Sequence, residues 1–259
     1  MFADNIFIEF ISQLRLLPSL LISLITLIFC LISIHIIRKK FGYAGLCAYM
    51  VLVSMIANIQ VLYATSYELV NMPVLLGTIV FCSSFLACDI INIEYGDEKA
   101  KKAVILTIFM DVFFFISIIF TLGHKPLDHS LYPEFGISEE TVAGNITAIQ
   151  QIFIPIPRLL IASYSAYLLS QLSEIWLFNL FRKLTFIGSQ FIKHNISLFL
   201  SNVCVDTLTF TGIGMCLLSS EPLSLWDFLL ICFSAMGIRI ICNFANTAYI
   251  KISEIKNKI

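Results

Sequence analysis

The sequence predicts an all-α fold: a polytopic helical membrane protein with seven transmembrane helices. Three observations lead there. The chain is 59% hydrophobic and only 13% charged, with a mean hydropathy of +0.92, whereas soluble domains carry about 25% charged residues. Its apolar residues gather into runs of about 20, enough at 1.5 Å per residue to cross roughly 30 Å of hydrocarbon. Its lysines and arginines fall in alternate connections between those runs. Strand-like alternation is absent, which argues against a barrel.

Residues 1–16 form a short, mildly acidic stretch with Asp4, Glu9 and Arg15. The first span is 17–37, closed by Arg38, Lys39 and Lys40. No signal-peptide cleavage pattern follows it, so it is read as retained. The second span is 43–64 and the third 72–92. The third carries Asp89, and the chain breaks at Tyr95-Gly96 within the charged run 94–102. A carboxylate at bilayer depth costs roughly 2.5–3.5 kcal/mol on insertion scales. Asp89 is therefore expected to face a cavity or a partner group. The fourth span is 103–122, followed by a long polar loop over 123–151 with Glu134, Glu139 and Glu140. The fifth is 158–181, behind Pro155 and Pro157; the sixth is 195–218 and the seventh 226–250.

Twelve of the sixteen lysines and arginines then lie on one side and two, Arg15 and Lys125, on the other, with Arg158 and Arg239 left in or at the edge of spans. The positive-inside rule places the C-terminus in the cytoplasm and the N-terminus outside, in the plasma (inner) membrane. The eight cysteines lie in apolar runs without CxxC or Cys/His spacing and read as small free thiols in helix packing.

The spans hold few ionisable groups: Asp89, Asp111, Glu174, Asp206, Arg158 and Arg239, with the amides Asn58, Gln171, Asn202, Asn243 and Asn246. Asn202 and Asp206 share a helix face at i, i+4, and Arg239, Asn243 and Asn246 do so at i, i+4, i+7. Tyr164, Tyr167, Gln171, Glu174 and Phe178 form one stripe. Acids, amides and aromatic rings on inward faces suit a planar polar solute, because a carboxylate accepts from adjacent N–H groups and a ring stacks. The plainer reading also stands: acids and arginines pair across helices, and the stripe is packing.

Catalytic patterns are absent. There is no HExxH, GxSxG, Walker A or Walker B motif. Glu139-Glu140 falls in the polar loop, which leaves a paired-glutamate protease unsupported. His35, His124, His129 and His194 lack metal-ligand spacing. The last span has Arg239 and no lysine, which argues against a retinal protein. No enzyme activity, cofactor or metal is expected, and nothing points to direct contact with nucleic acid.

Asn58, ACDIINIEYGDEKAKKA (87–103), PRLLIASYSAYLLSQLSEIWLFNLFRK (157–183) and SNVCVDTLTFTGIG (201–214) occur in that order. Together they resemble the queuosine precursor transporter family, also called the vitamin uptake transporters, over residues 43–250. The resemblance implies import of 7-deazaguanine bases (preQ0, preQ1 or queuine) for the queuosine modification of tRNA. It also implies a fold shared with the substrate-binding components of energy-coupling-factor vitamin importers. It divides the chain into residues 1–42, an extra N-terminal helix and basic loop, and 43–259, a six-helix transporter domain.

The expected substrate contacts are Asn58, Asp89, Arg158, Tyr164, Gln171, Glu174, Asn202, Asp206, Phe210 and Arg239. Glu174 stands where the family commonly has aspartate. Arg239 stands in a last span where the family tends to have a lysine and a later proline. Two other functions fit the residues: a vitamin-binding subunit that docks on an energising partner, and a seven-span sensor without transport. The precursor carried, its energy source and the oligomeric state are not legible in the chain.

Overall fold

A computed structural model describes residues 2–67, 73–125, 138–154, 156–184, 190–217 and 224–256. Among the described residues the fold is an α-helical bundle with one small hairpin of strands, and both apolar clusters and polar side chains are buried inside it. Helix α1 (Phe2–Leu14) precedes Pro18, and α2 (Ser19–Gln60) follows it. The acidic N-terminal stretch is thus helical, with Ile6, Phe7, Ile8 and Phe10 exposed along it.

Helix α2 has two arms, 19–41 and 43–60, joined at Gly42 with φ 55° and ψ −137°. That conformation is open to glycine and strained for residues with a Cβ. The arms double back on each other. Cys30 of the first and Tyr49 of the second belong to one buried cluster, although a straight helix would hold them about 28 Å apart. Ser23 Oγ also meets Tyr67 Oη at 2.8 Å, beyond the far end of the second arm.

Strands β1 (Ala64–Ser66) and β2 (Pro73–Leu75) pair antiparallel, Thr65 opposite Val74. This hairpin was not expected from the sequence. Helix α3 (Thr78–Tyr95) runs down the middle of the bundle, buried on every side from Cys82 to Asn92. Asp89 is 1% exposed, so it faces protein and not lipid. The chain turns at Gly96 into α4 (Asp97–Gly123), the break expected at Tyr95-Gly96. On α4, Ala100, Ala103, Val104, Thr107 and Asp111 form the buried face at helical spacing, while Ile105, Phe109, Phe113 and Phe120 point outward.

The second half of the expected polar loop is helical, in α5 (Glu139–Phe153). Ser138 caps it by accepting from the Thr141 N–H at 3.2 Å, and Phe153 packs edge-on against Phe114 of α4. Helix α6 is Ile156–Lys183. Next comes α7 (Gln190–Leu198), which continues through π-helical turns at Phe199–Asp206 into the short α8 (Thr207–Thr211), followed by further π turns at Gly212–Leu217. Helix α9 (Leu225–Lys256) closes the bundle.

The protein is a multi-pass membrane protein. By length and hydropathy, five helical stretches among the described residues are able to cross a bilayer: Ser19–Gln60, Thr78–Tyr95, Asp97–Gly123, Asn195–Gly214 and Leu225–Ile252. The expected count of seven is not what they return, for two physical reasons. The doubled-back α2 is one continuous run, and α6 is long enough but diluted by Ser163, Tyr164, Ser170, Gln171, Ser173 and Glu174.

The two ends of the bundle differ. At the end rich in lysine and arginine, Arg38 pairs with Glu94, and Lys99 lies 5.3 Å and 5.5 Å from the ring centres of Tyr43 and Tyr95. The other end carries the β1–β2 hairpin and α5.

Candidate substrate cavity

In the half of the bundle nearer the β-hairpin, five elements leave a cavity between them. Its walls are Ser54 and Asn58 of α2; Thr78 and Phe81 of α3; Ser163, Tyr164 and Tyr167 of α6; Thr207, Phe210 and Thr211 of α8; and Ile231, Ser234 and Arg239 of α9. Asp206, the last residue of the π turns, completes the wall, and the turn Leu75–Gly77 lies across it. The empty space, its open mouth included, is about 760 Å³. Gly77 has φ +88°, and a Cβ there would stand 2.8 Å from the Ala57 carbonyl oxygen. Only glycine lets the hairpin pass so close to α2.

An ion pair is set into the wall. Arg239 Nη1 lies 2.5 Å from Asp206 Oδ2, and both residues are buried. The guanidinium also donates to Asn202 Oδ1 at 2.6 Å and to the Asn202 carbonyl at 3.0 Å. Asn202 Nδ2 in turn donates to Asn243 Oδ1 at 2.8 Å, and Ser170 Oγ donates to Asp206 Oδ1 at 3.1 Å. Asp206 and Arg239 therefore answer each other's charge, as the plainer sequence reading allowed, and still present atoms to the cavity. The guanidinium stacks 5.7 Å from the Phe81 ring centre, and Phe81 meets Tyr167 edge-on at 5.5 Å.

The cavity keeps polar groups in reserve. Tyr164 Oη, Thr207 Oγ1 and Arg239 Nε are buried, and no hydrogen-bond partner for them lies among the described residues. Buried polar groups are satisfied in most native structures, so donors left over on a cavity wall mark where a ligand's acceptors would sit.

Of the residues expected from the sequence, Asn58, Tyr164, Asp206, Phe210 and Arg239 line this space. Asn202 stands one layer behind it, holding Arg239. Asp89, Gln171 and Glu174 are buried but not on its wall. Glu174 accepts from Ser197 Oγ at 2.8 Å and from Ser201 Oγ, which fastens α6 to α7 and its π turns. Arg158 lies in α6, but its side chain falls outside the described residues. Sequence reasoning passed over Ser54, Phe81, Ser170 and Thr207. A lone serine or phenylalanine in an apolar run carries no signal; only the fold brings Ser54, Phe81 and Thr207 to the wall and Ser170 behind it to Asp206. Asn246 ties α9 to α3 by donating to the Cys82 carbonyl at 3.1 Å.

A "Probable queuosine precursor transporter" of Bacillus subtilis (strain 168) is 27% identical to this chain over 155 residues, which cover 59% of the chain and 60% of the relative. The chain thus spans about 60% of the length of that curated relative. No solved structure matches it significantly. A family model described as "Putative vitamin uptake transporter" matches residues 75–252, more than half of the chain and all of the cavity wall beyond α2, and the chain belongs to that family.

Proposed function

We propose that this protein imports queuosine precursors, planar 7-deazaguanine bases, across the plasma membrane and has no enzymatic activity of its own. The observation that carries the reading is the cavity's combination of rings with unused polar groups. Phe81, Tyr167 and Phe210 supply faces for a flat heterocycle, and base–aromatic stacking is worth roughly 1–3 kcal/mol per base. The Tyr164 and Thr207 hydroxyls and Arg239 Nε suit the ring's carbonyl and nitrogen acceptors. The remaining lone pairs of Asp206 and the amide of Asn58 suit its N–H edge. Because Arg239 balances Asp206, the wall carries no net charge from this pair and suits a neutral solute.

The cavity lies toward the lysine-poor end of the bundle. With the lysine-rich end in the cytoplasm, it faces the outside, where an importer loads. The name of the Bacillus subtilis relative agrees with this substrate class. The test is complementation. The chain is expressed in cells unable to make queuosine, each precursor is supplied at low concentration, and tRNA is assayed for the modified base. Restored modification with at least one precursor is expected; none with any would overturn the reading.

A further inference from the structure

Next to the main cavity lies a smaller one, lined by Met55, Asn58, Asp111, Phe114, Leu160 and Tyr164 among others. Asn58 and Tyr164 belong to both spaces. Asp111 is 2% exposed. Its Oδ2 accepts from Ser54 Oγ at 2.5 Å, and its Oδ1 is buried without a hydrogen-bond partner among the described residues. No ion pair to Asp111 occurs among those residues. From α2 it is faced by Ser54 and Asn58, neither titratable, and from α6 by the phenols of Tyr164 and Tyr167. Toward α5 the small cavity shows only Phe153. The other buried acids are differently placed: Asp206 has its arginine, Glu174 has two serines, and Asp89 lies off both cavities.

We propose that Asp111 is a proton-binding site linked to the substrate through the Ser54 hydroxyl, which sits on the wall of the main cavity. This rests on the import reading above. The link follows from what a serine can do. Its oxygen carries one proton to donate and lone pairs to accept with. While Asp111 is a carboxylate, the Ser54 proton is committed to Oδ2, and only lone pairs face the cavity. When a proton binds the carboxylate, the new O–H donates to Ser54 Oγ. The serine's own proton then turns into the cavity and meets an acceptor on the base. One proton enters at the carboxyl and none is lost from the serine. A carboxylate out of water with a single hydrogen bond is costly, so the charge is held weakly and the exchange is reversible. By linkage, proton and substrate each strengthen the other's binding by the same factor, which is what proton-driven uptake requires.

The test is calorimetric titration of the purified full chain with preQ0, which has no amine to titrate, in buffers of different ionisation heat and over a range of pH. Wild type should take up a fraction of a proton per base bound, approaching one where Asp111 is ionised beforehand. Its affinity should fall as pH rises, by at most about tenfold per pH unit for a one-proton link. Asp111→Asn, whose amide donates to Ser54 as the protonated acid does, should bind preQ0 with zero proton uptake and no pH dependence. If that variant does not fold, Ser54→Ala gives the same readout, since proton uptake should vanish whatever its affinity. Binding by wild type without proton uptake at any pH overturns the proposal, and so does uptake that persists in either variant. Failure of wild type to bind preQ0, preQ1 or queuine at all overturns the substrate reading and removes this link with it.

Discussion

Asp206→Asn is the sharpest test of the wall. The substitution keeps the shape and removes one charge from a buried pair. Breaking such a pair costs about 3–5 kcal/mol, because the partner charge is left buried. Here the remaining guanidinium keeps the Asn202 side-chain and main-chain oxygens at 2.6 Å and 3.0 Å, and the new amide oxygen can still accept from Ser170. The loss therefore belongs at the lower edge, about 3 kcal/mol. At about 2–4 °C per kcal/mol for a chain of this size, melting in detergent should fall by about 6–12 °C. Adding Arg239→Met removes the orphaned charge, and the double variant should regain about 2 kcal/mol relative to the sum of the singles. Binding should behave differently. If the acid also reads the base's N–H edge, the double variant stays weak for substrate while its stability recovers. An Asp206→Asn protein that melts within about 2 °C of wild type, or a double variant without recovery, refutes the reasoning about the pair.

Phe210→Ala should weaken precursor binding by about 5- to 150-fold, the equivalent of one stacked base, with little change in melting; equilibrium dialysis with labelled base measures it. Gly77→Ala should cost about 1–3 kcal/mol from its positive φ and the contact with the Ala57 carbonyl, read as a lowered melting temperature. Glu174→Gln should leave the KM for uptake within about threefold of wild type, because the side chain lies off the cavity and a charge-assisted bond to a hydroxyl is lost at about 1.5–3 kcal/mol of stability; a larger KM change would place Glu174 in the site. Single cysteines at Glu140 and Lys251 should label from outside and inside the cell respectively with an impermeant thiol reagent, and the reverse pattern would invert the topology.

Much of this architecture is written locally. The break at Gly96 follows from a glycine beside a charged run, and the buried face of α4 follows from small and polar residues at helical spacing. The i, i+4 relation of Asn202 and Asp206 put both on one face, as found, although π turns carry them. What the spacing did not contain was distance between helices. Whether Asp206 met Arg239 or a solute depended on how α8 and α9 pack, so both readings stood until that packing was in view. The β-hairpin was hidden for a related reason: Ala64–Ser66 and Pro73–Leu75 are too short to alternate visibly and gain their order from Tyr67 meeting Ser23. Helix α5 was locally legible, with Ser138 as its cap and Glu139 and Glu140 in its first turn, but its composition is too polar for a span and it was taken for loop. Asp89, Gln171 and Glu174 share the site residues' chemistry, and only their depth separates them from it.

The bond between Asn246 and the Cys82 carbonyl joins residues 164 positions apart, and Asn202 reaches Cys82 Sγ across 120. A ribosome delivers these groups in order. Both arms of α2, then α3 and α4, can associate as soon as they emerge, since each meets its neighbour across a turn of one residue or a short hairpin. Cys82 and the polar side of α3 must wait for α9, almost the last segment made. Until then Asp206 has no arginine, and the groove between α3 and α6 lacks its fourth side. The candidate wall is therefore completed only when α9 arrives. A chain stopped before Arg239 would leave Asp206 without the cation that answers its charge.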